Sequence, residues 1–182
     1  MFPQIYVIKI TEIKEKDINF LYDLIEEPKK TDIKNKLSVS ARIQSLIGII
    51  LTKVAIKKEF NIPIKEIKFS YKESGKPYIE NFKNIHFSIS HCQDYVVCAI
   101  SDKPIGIDIE KIKDVKIEAL KTICYLKEKE FIFSEPTKSC ENFFKVWTAK
   151  EAIYKKSGYK NPNTSKEDVK HYKFDNHILC IS

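Results

Sequence analysis

The segment Ile105-Gly106-Ile107-Asp108-Ile109-Glu110 alternates without a break. In a β-strand, Ile105, Ile107 and Ile109 point to one face and Gly106, Asp108 and Glu110 to the other. The isoleucine face reads as a core face. The opposite face carries two carboxylates, with a glycine that leaves space beside them. A third carboxylate, Glu151, follows in Trp147-Thr148-Ala149-Lys150-Glu151, on an expected helix that also presents lysines. Three hard oxygen donors with lysines nearby point to a Mg²⁺ ion neutralising a polyphosphate.

Working outward from this segment, His86 to Ser90 and Tyr95 to Ser101 also read as strands. Their connections, Cys92-Gln93-Asp94 and Asp102-Lys103-Pro104, are hairpin-sized, so an antiparallel meander is expected over 86–110. Upstream, residues 4–10 alternate and give a first strand. Residues 28–38 are polar and lysine-rich and read as a loop. Ile43, Leu46, Ile47, Ile50, Leu51 and Val54 recur at helical spacing to about Phe60, with Ser38 or Ser40 as the cap. A short strand is expected at 66–71, then a turn at Glu73-Ser74-Gly75-Lys76-Pro77. Downstream, a helix is expected from about Lys116 into the 130s. A clearer one spans 141–157 and ends at Gly158. On it Phe144, Trp147, Glu151 and Lys155 share a face. His171 to Phe174 and Ile178 to Ile181 read as two last strands around Asp175-Asn176.

The chain of 182 residues is 43% apolar, enough for one domain or two small lobes sharing a core. No uninterrupted apolar run is long enough to cross a membrane, and Met1-Phe2-Pro3-Gln4-Ile5-Tyr6 does not resemble a signal peptide. The five cysteines contain no C-x-x-C pair, which favours a reducing cytoplasm over a disulfide or zinc framework. The net charge of +7 favours an acidic partner. Arg42 is the only arginine, whereas groove-reading nucleic-acid binders usually lean on arginine, so no nucleic-acid partner is expected.

Each candidate also has a plain reading. Asp108 and Glu110 fit surface carboxylates on an edge strand, Lys150-Glu151 ordinary helix-surface charges, His91 a hydrogen-bonded histidine at a strand end, Trp147 a core residue, and Gly75-Lys76-Pro77 a turn. Taken in order, however, Gly75-Lys76-Pro77, Phe87-Ser88-Ile89-Ser90-His91, Ile105 to Glu110, and Phe144 through Trp147-Thr148-Ala149-Lys150-Glu151-Ala152 to Lys155 resemble the 4′-phosphopantetheinyl transferase superfamily, in particular its surfactin-type branch. The helix containing Ser45-Leu46-Ile47-Gly48 is similar too, so the likeness covers roughly residues 40–158.

The resemblance implies transfer of the phosphopantetheine arm of coenzyme A onto a serine of an apo carrier protein, with release of 3′,5′-ADP. It implies Mg²⁺ held by Asp108, Glu110 and Glu151. Lys155 would reach the pyrophosphate, and Lys76, Ser90 and His91 would contact the nucleotide phosphates. Glu151 is the first choice for the base that takes the serine proton. Lys29 and Lys30 fall where the family places basic residues for the 3′-phosphate. Gln44 stands where the family often has arginine, and Arg42 is the substitute. The implied fold is α+β: two similar lobes related by a pseudo-twofold axis, with helices packed on small antiparallel sheets and the active site between the lobes. The expected division is 1–110 and 111–182. Only 27 residues follow Lys155, so the second lobe is expected to be shortened. A monomer is expected. The acidic carrier, whether of fatty-acid, polyketide or nonribosomal-peptide synthesis, is expected to dock near Lys111 to Tyr125. The competing readings are a coenzyme A- or nucleotide-binding homologue without turnover and a basic nucleic-acid-binding module.

Overall fold

A computed structural model describes residues 3–72, 75–115, 124–158, 160, 162–166 and 168–182. The chain divides into two units, Met1–Pro104 and Ile105–Ser182.

In the first unit, β1 (Gln4–Lys9) is followed by a one-turn helix α1 (Glu15–Ile18), a 3₁₀ turn at Asn19–Leu24, α2 (Lys29–Lys34) and the long helix α3 (Val39–Phe60). Ser38 caps α3 by accepting the Ala41 N–H at 3.4 Å. Asn61 ends it in the left-handed region at φ 55, which asparagine tolerates. The strands β2 (Phe69–Tyr71) and β3 (Pro77–Ile79) form a two-stranded ribbon. The strands β4 (His86–His91) and β5 (Tyr95–Ser101) form a hairpin, and β1 pairs with the other edge of β5. The sheet order is β1-β5-β4, antiparallel throughout. Every residue of the central β5 is buried. Helix α3 packs on β5 and β4, setting Leu46, Ile47 and Ile56 against Val96, Cys98 and Ile100. By length and composition α3 is the one described helix able to cross a bilayer. However, 56% of its most apolar stretch is buried inside the protein, as befits a helix lying on a sheet.

In the second unit, β6 (Ile107–Lys111) precedes α4 (Leu126–Phe133) and α5 (Ser139–Ser157), and the hairpin β7 (Lys170–Phe174) and β8 (His177–Ile181) closes it. The hairpin turn puts Asp175 and Asn176 at φ 44 and φ 59, the paired positive values that such two-residue loops require. The sheet order is β6-β8-β7, again antiparallel, with α5 packed on β6 and β8. Both units therefore repeat one connectivity: a strand, a long helix, then a hairpin whose second strand takes the centre of the sheet.

Three expectations change. The lysine-rich 28–38 contains α2, because Glu27 accepts the N–H and hydroxyl of Thr31 at 3.2 and 2.8 Å and Ile33 is fully buried. The meander stops at β5, whose two edges are already taken by β1 and β4. β6 pairs instead with β8, from Ile107↔Ile181 to Lys111↔His177. β6 thus lies wholly in the second compact unit, which begins at Ile105. The reduction foreseen for the second lobe spares its main sheet, which has as many strands as the first. Among the described residues, the two-stranded ribbon is what the first unit has in addition. The helix expected from Lys116 lies partly outside the described residues, and its described part is α4.

Candidate active site

Strand β6 presents the face expected from its alternation. Ile105, Ile107 and Ile109 are all buried. The opposite face lies under α5. A Cβ on Gly106 would stand 1.8 Å from the Ala152 carbonyl oxygen and 2.9 Å from the Lys156 nitrogen. The space beside the carboxylates is thus filled by helix backbone, and only glycine permits that approach. The close crossing brings Lys155 Nζ to 2.7 Å from Oδ1 of the buried Asp108.

Glu110 and Glu151 are both half-buried. Burial, then the Asp108 charge, pushes the Glu110 carboxyl above its ordinary value. A hydrogen bond from the Trp147 side chain and the charges of Lys113 and Lys155 offset part of this. Burial and Asp108 likewise raise Glu151, against Lys155. Trp147 is the anchor of this arrangement: its indole can only donate, and it stacks on Phe143 with centroids 6.4 Å apart.

The donor set is all hard oxygen, and the charge of Asp108 is felt by both glutamates, so a divalent cation would relieve a mutual repulsion. The residues fit Mg²⁺ in that chemical sense. They are not drawn to ligand distances. Among the described residues no three of His, Cys, Asp and Glu gather as a metal site. Lys155 serves as the counter-charge of Asp108.

The other expected residues belong to the first unit. Ser90 is buried in β4, and His91 is exposed at its end. Lys76 is half-buried beside Pro77, after Gly75 at φ 79. Burial, then the neighbouring Lys72, lowers its ammonium below the usual lysine value. Lys29 lies over the Tyr71 ring, 4.7 Å from the centroid, and Lys30 is 3.4 Å from Asp23. Arg42 holds Glu15 through Nε and Nη2 at 2.6 and 2.9 Å and donates to the Lys36 carbonyl at 2.7 Å. Its guanidinium is thus engaged by a carboxylate 27 residues upstream, a pairing for which spacing gives no signal. Gln44 donates to the Cys92 carbonyl at 2.9 Å, which sets it against the segment that follows His91. The five cysteines are free thiols.

Lys150, whose plain reading is a helix-surface charge, is buried, 3.0 Å from the equally buried Glu128. The capping residue Glu128, which follows Tyr125-Leu126-Lys127, carried no signal on its own.

Two family profiles divide the chain where its fold does. Residues 12–103 match one described as 4′-phosphopantetheinyl transferase, N-terminal, and residues 104–176 match the 4′-phosphopantetheinyl transferase superfamily. Among individual relatives, the 4′-phosphopantetheinyl transferase gsp of Aneurinibacillus migulanus is 33% identical over 159 residues, covering 87% of this chain and 66% of that protein. Sfp of Bacillus subtilis (strain 168) is 33% identical over 116 residues, 63% of this chain and 52% of its own length. HetI of Nostoc sp. is 34% identical over 100 residues, 51% and 42%. The chain thus spans between about half and two thirds of the first two relatives. With β6, α5 and their carboxylates inside the matched region, the chain belongs to the 4′-phosphopantetheinyl transferase superfamily, on its surfactin-type branch.

Proposed function

We propose that this chain transfers the 4′-phosphopantetheine arm of coenzyme A to the serine of an apo carrier protein. The observation that carries the reading is the crossing of α5 over β6 at Gly106, which sets Lys155 on Asp108 beside Glu110 and Glu151.

In this reading a new bond forms between the serine oxygen and the phosphorus of the phosphopantetheine arm. The bridging pyrophosphate bond breaks, and 3′,5′-ADP leaves with the electron pair. Asp108, Glu110 and Glu151 would hold Mg²⁺, which when bound supplies charge neutralisation at the pyrophosphate. Glu151 takes the serine proton, a task suited to a carboxylate raised above its ordinary value. Lys155 exchanges Asp108 for the pyrophosphate and offsets charge on the leaving 3′,5′-ADP. Lys76, Ser90 and His91 hold the nucleotide phosphates, and Lys29, Lys30 and Arg42 surround the 3′-phosphate. For Arg42 this requires release from Glu15. The working form is a cytoplasmic monomer, and the carrier is acidic around its serine.

Incubation with coenzyme A, Mg²⁺ and a panel of apo carriers should add the mass of the phosphopantetheine arm to at least one carrier. Asp108→Ala should stay folded and lose on the order of 10²-fold in turnover, the usual cost of one transition-state stabiliser. Coenzyme A binding with every carrier left unmodified would replace this reading with that of a binding homologue. Near-normal turnover in Asp108→Ala would remove the strand carboxylates from the site.

A further inference from the structure

Lys150 and Glu128 form a pair of opposite charges that the proposed chemistry does not use. Their side chains are 4% and 2% exposed. Lys150 Nζ lies 3.0 Å from Glu128 Oε2, donates to the Pro162 carbonyl at 2.7 Å, and sits 4.6 Å from the centroid of the Tyr125 ring. Glu128 is satisfied at both oxygens. Its Oε1 accepts the Thr164 N–H at 2.9 Å and the Thr164 hydroxyl at 2.8 Å, and its Oε2 accepts the Tyr125 N–H at 2.8 Å as well as Lys150. One carboxylate therefore ties together three stretches: the start of α4, the segment around Thr164, and α5.

Buried ion pairs are poor sources of stability, because desolvation offsets most of the attraction. Their best-attested use is to fix one arrangement against others. Here the arrangement fixed is the rotation of α5. Successive helix residues turn about 100°. With Lys150 drawn toward α4 and the Thr164 segment, Glu151 is turned toward β6, and Lys155, one turn on, meets Asp108. We infer that Glu128 is a positioning residue: by holding Lys150, it sets the rotation of α5 that presents Glu151 and Lys155 to the carboxylate face of β6. Glu128 touches neither the nucleotide nor the serine in this role, which rests on the reading of the site given above.

The test has two readouts. The first is kcat and KM for coenzyme A and carrier in Glu128→Gln, taken below its melting temperature. The expected result is a kcat loss on the order of 10²-fold, the cost of a misplaced catalytic group, with both KM values within about twofold of the unmodified chain. The second uses Trp147, the only tryptophan of the chain, which lies three residues before Lys150 and hydrogen-bonds Glu110. Its emission should shift and its quenching by acrylamide should change in Glu128→Gln, while the far-ultraviolet signal of the fold stays.

Should Glu128→Gln fail to fold, Glu128→Gln with Lys150→Met removes both buried charges and restores stability. It should still show the altered Trp147 emission and the low kcat. Unchanged Trp147 emission with near-normal kcat, in either variant, overturns the assignment. If the unmodified chain transfers no arm to any carrier, the proposed function fails, and Trp147 emission alone still decides whether Glu128 sets α5.

Discussion

Four glutamates of the second unit show how surroundings, not residue type, decide what a carboxylate does. Glu110 and Glu151 are raised by burial and by Asp108, which suits a metal site and a base. Glu128 is pushed up by burial, yet the N–H groups of Thr164 and Tyr125 and the Lys150 ammonium bring it below its ordinary value, so it stays an anion in its buried place. Glu141 is lowered to about 2, first by its hydrogen bonds from Lys145 and Lys173. It lies 2.8 Å from Lys145 on α5 and 2.5 Å from Lys173 on β7. The sign follows from linkage: a folded value below the unfolded one stabilises the fold above about pH 4.5, and the gain is lost as pH falls toward 2. Glu141→Gln should therefore melt roughly 1–4 °C lower at pH 7, the size expected of partly exposed pairs in a chain of this length. The two melting curves should converge as the pH approaches 2. A difference that persists at pH 2 would place the effect in packing. Only part of this was legible in the sequence. Asp108, Glu110, Glu151 and Lys155 declare themselves by alternation and by helical spacing. Lys150 read as surface charge because its partner is 22 residues upstream, with nothing in the spacing to join them.

The element scale turns on the contact of β6 with α5. Gly106 in the strand pattern read as open space, but the structure fills that space with the backbone at Ala152 and Lys156. A methyl group there meets backbone atoms that cannot rotate away. Gly106→Ala should push strand and helix apart at a cost of about 1–3 kcal/mol, the usual range for overpacking. The more telling consequence is functional. The displaced elements are the ones carrying Asp108 and Glu110 on one side and Glu151 and Lys155 on the other, so turnover should fall further than the shift in the urea midpoint accounts for. A variant that loses stability and keeps its turnover would show that the crossing can open without disturbing the site. Helix ends were readable from local chemistry: Ser38, Asn61 and Gly158 each stand where the cap geometry places them, Gly158 donating its N–H to the Tyr154 carbonyl at 2.7 Å. The pairing of strands was not. Periodicity reports which face of a strand is buried, but not which edge meets which partner. Hence alternation points to β5, the neighbour in sequence, as the partner of β6, while its actual partner β8 lies some seventy residues further on.

For the whole molecule, α3 and α5 each cover the sheet of their own unit from the same place in the chain order. The net charge of +7 belongs to this scale as well, since it acts on a partner before any single contact forms. In the proposed function that partner is an acidic carrier, and lysines follow one another just beyond β6. Lys111 and Lys113 are exposed where β6 ends; Lys116 and Lys121 lie outside the described residues. If this stretch receives the carrier, reversing Lys113 and Lys116 together to glutamate should raise the carrier KM about tenfold, because facing like charges slow encounter and weaken docking. The KM for coenzyme A should stay within about twofold of the unmodified chain, which separates docking from damage to the nucleotide site. Salt gives an independent check. Exposed charges are screened over about 8 Å at physiological ionic strength and about 3 Å at 1 M, so the gap in carrier KM between variant and unmodified chain should narrow as salt rises. A gap that is absent at low salt would move the docking surface elsewhere. A gap that persists at high salt would mean that the substitutions act through shape at the end of β6 rather than through charge.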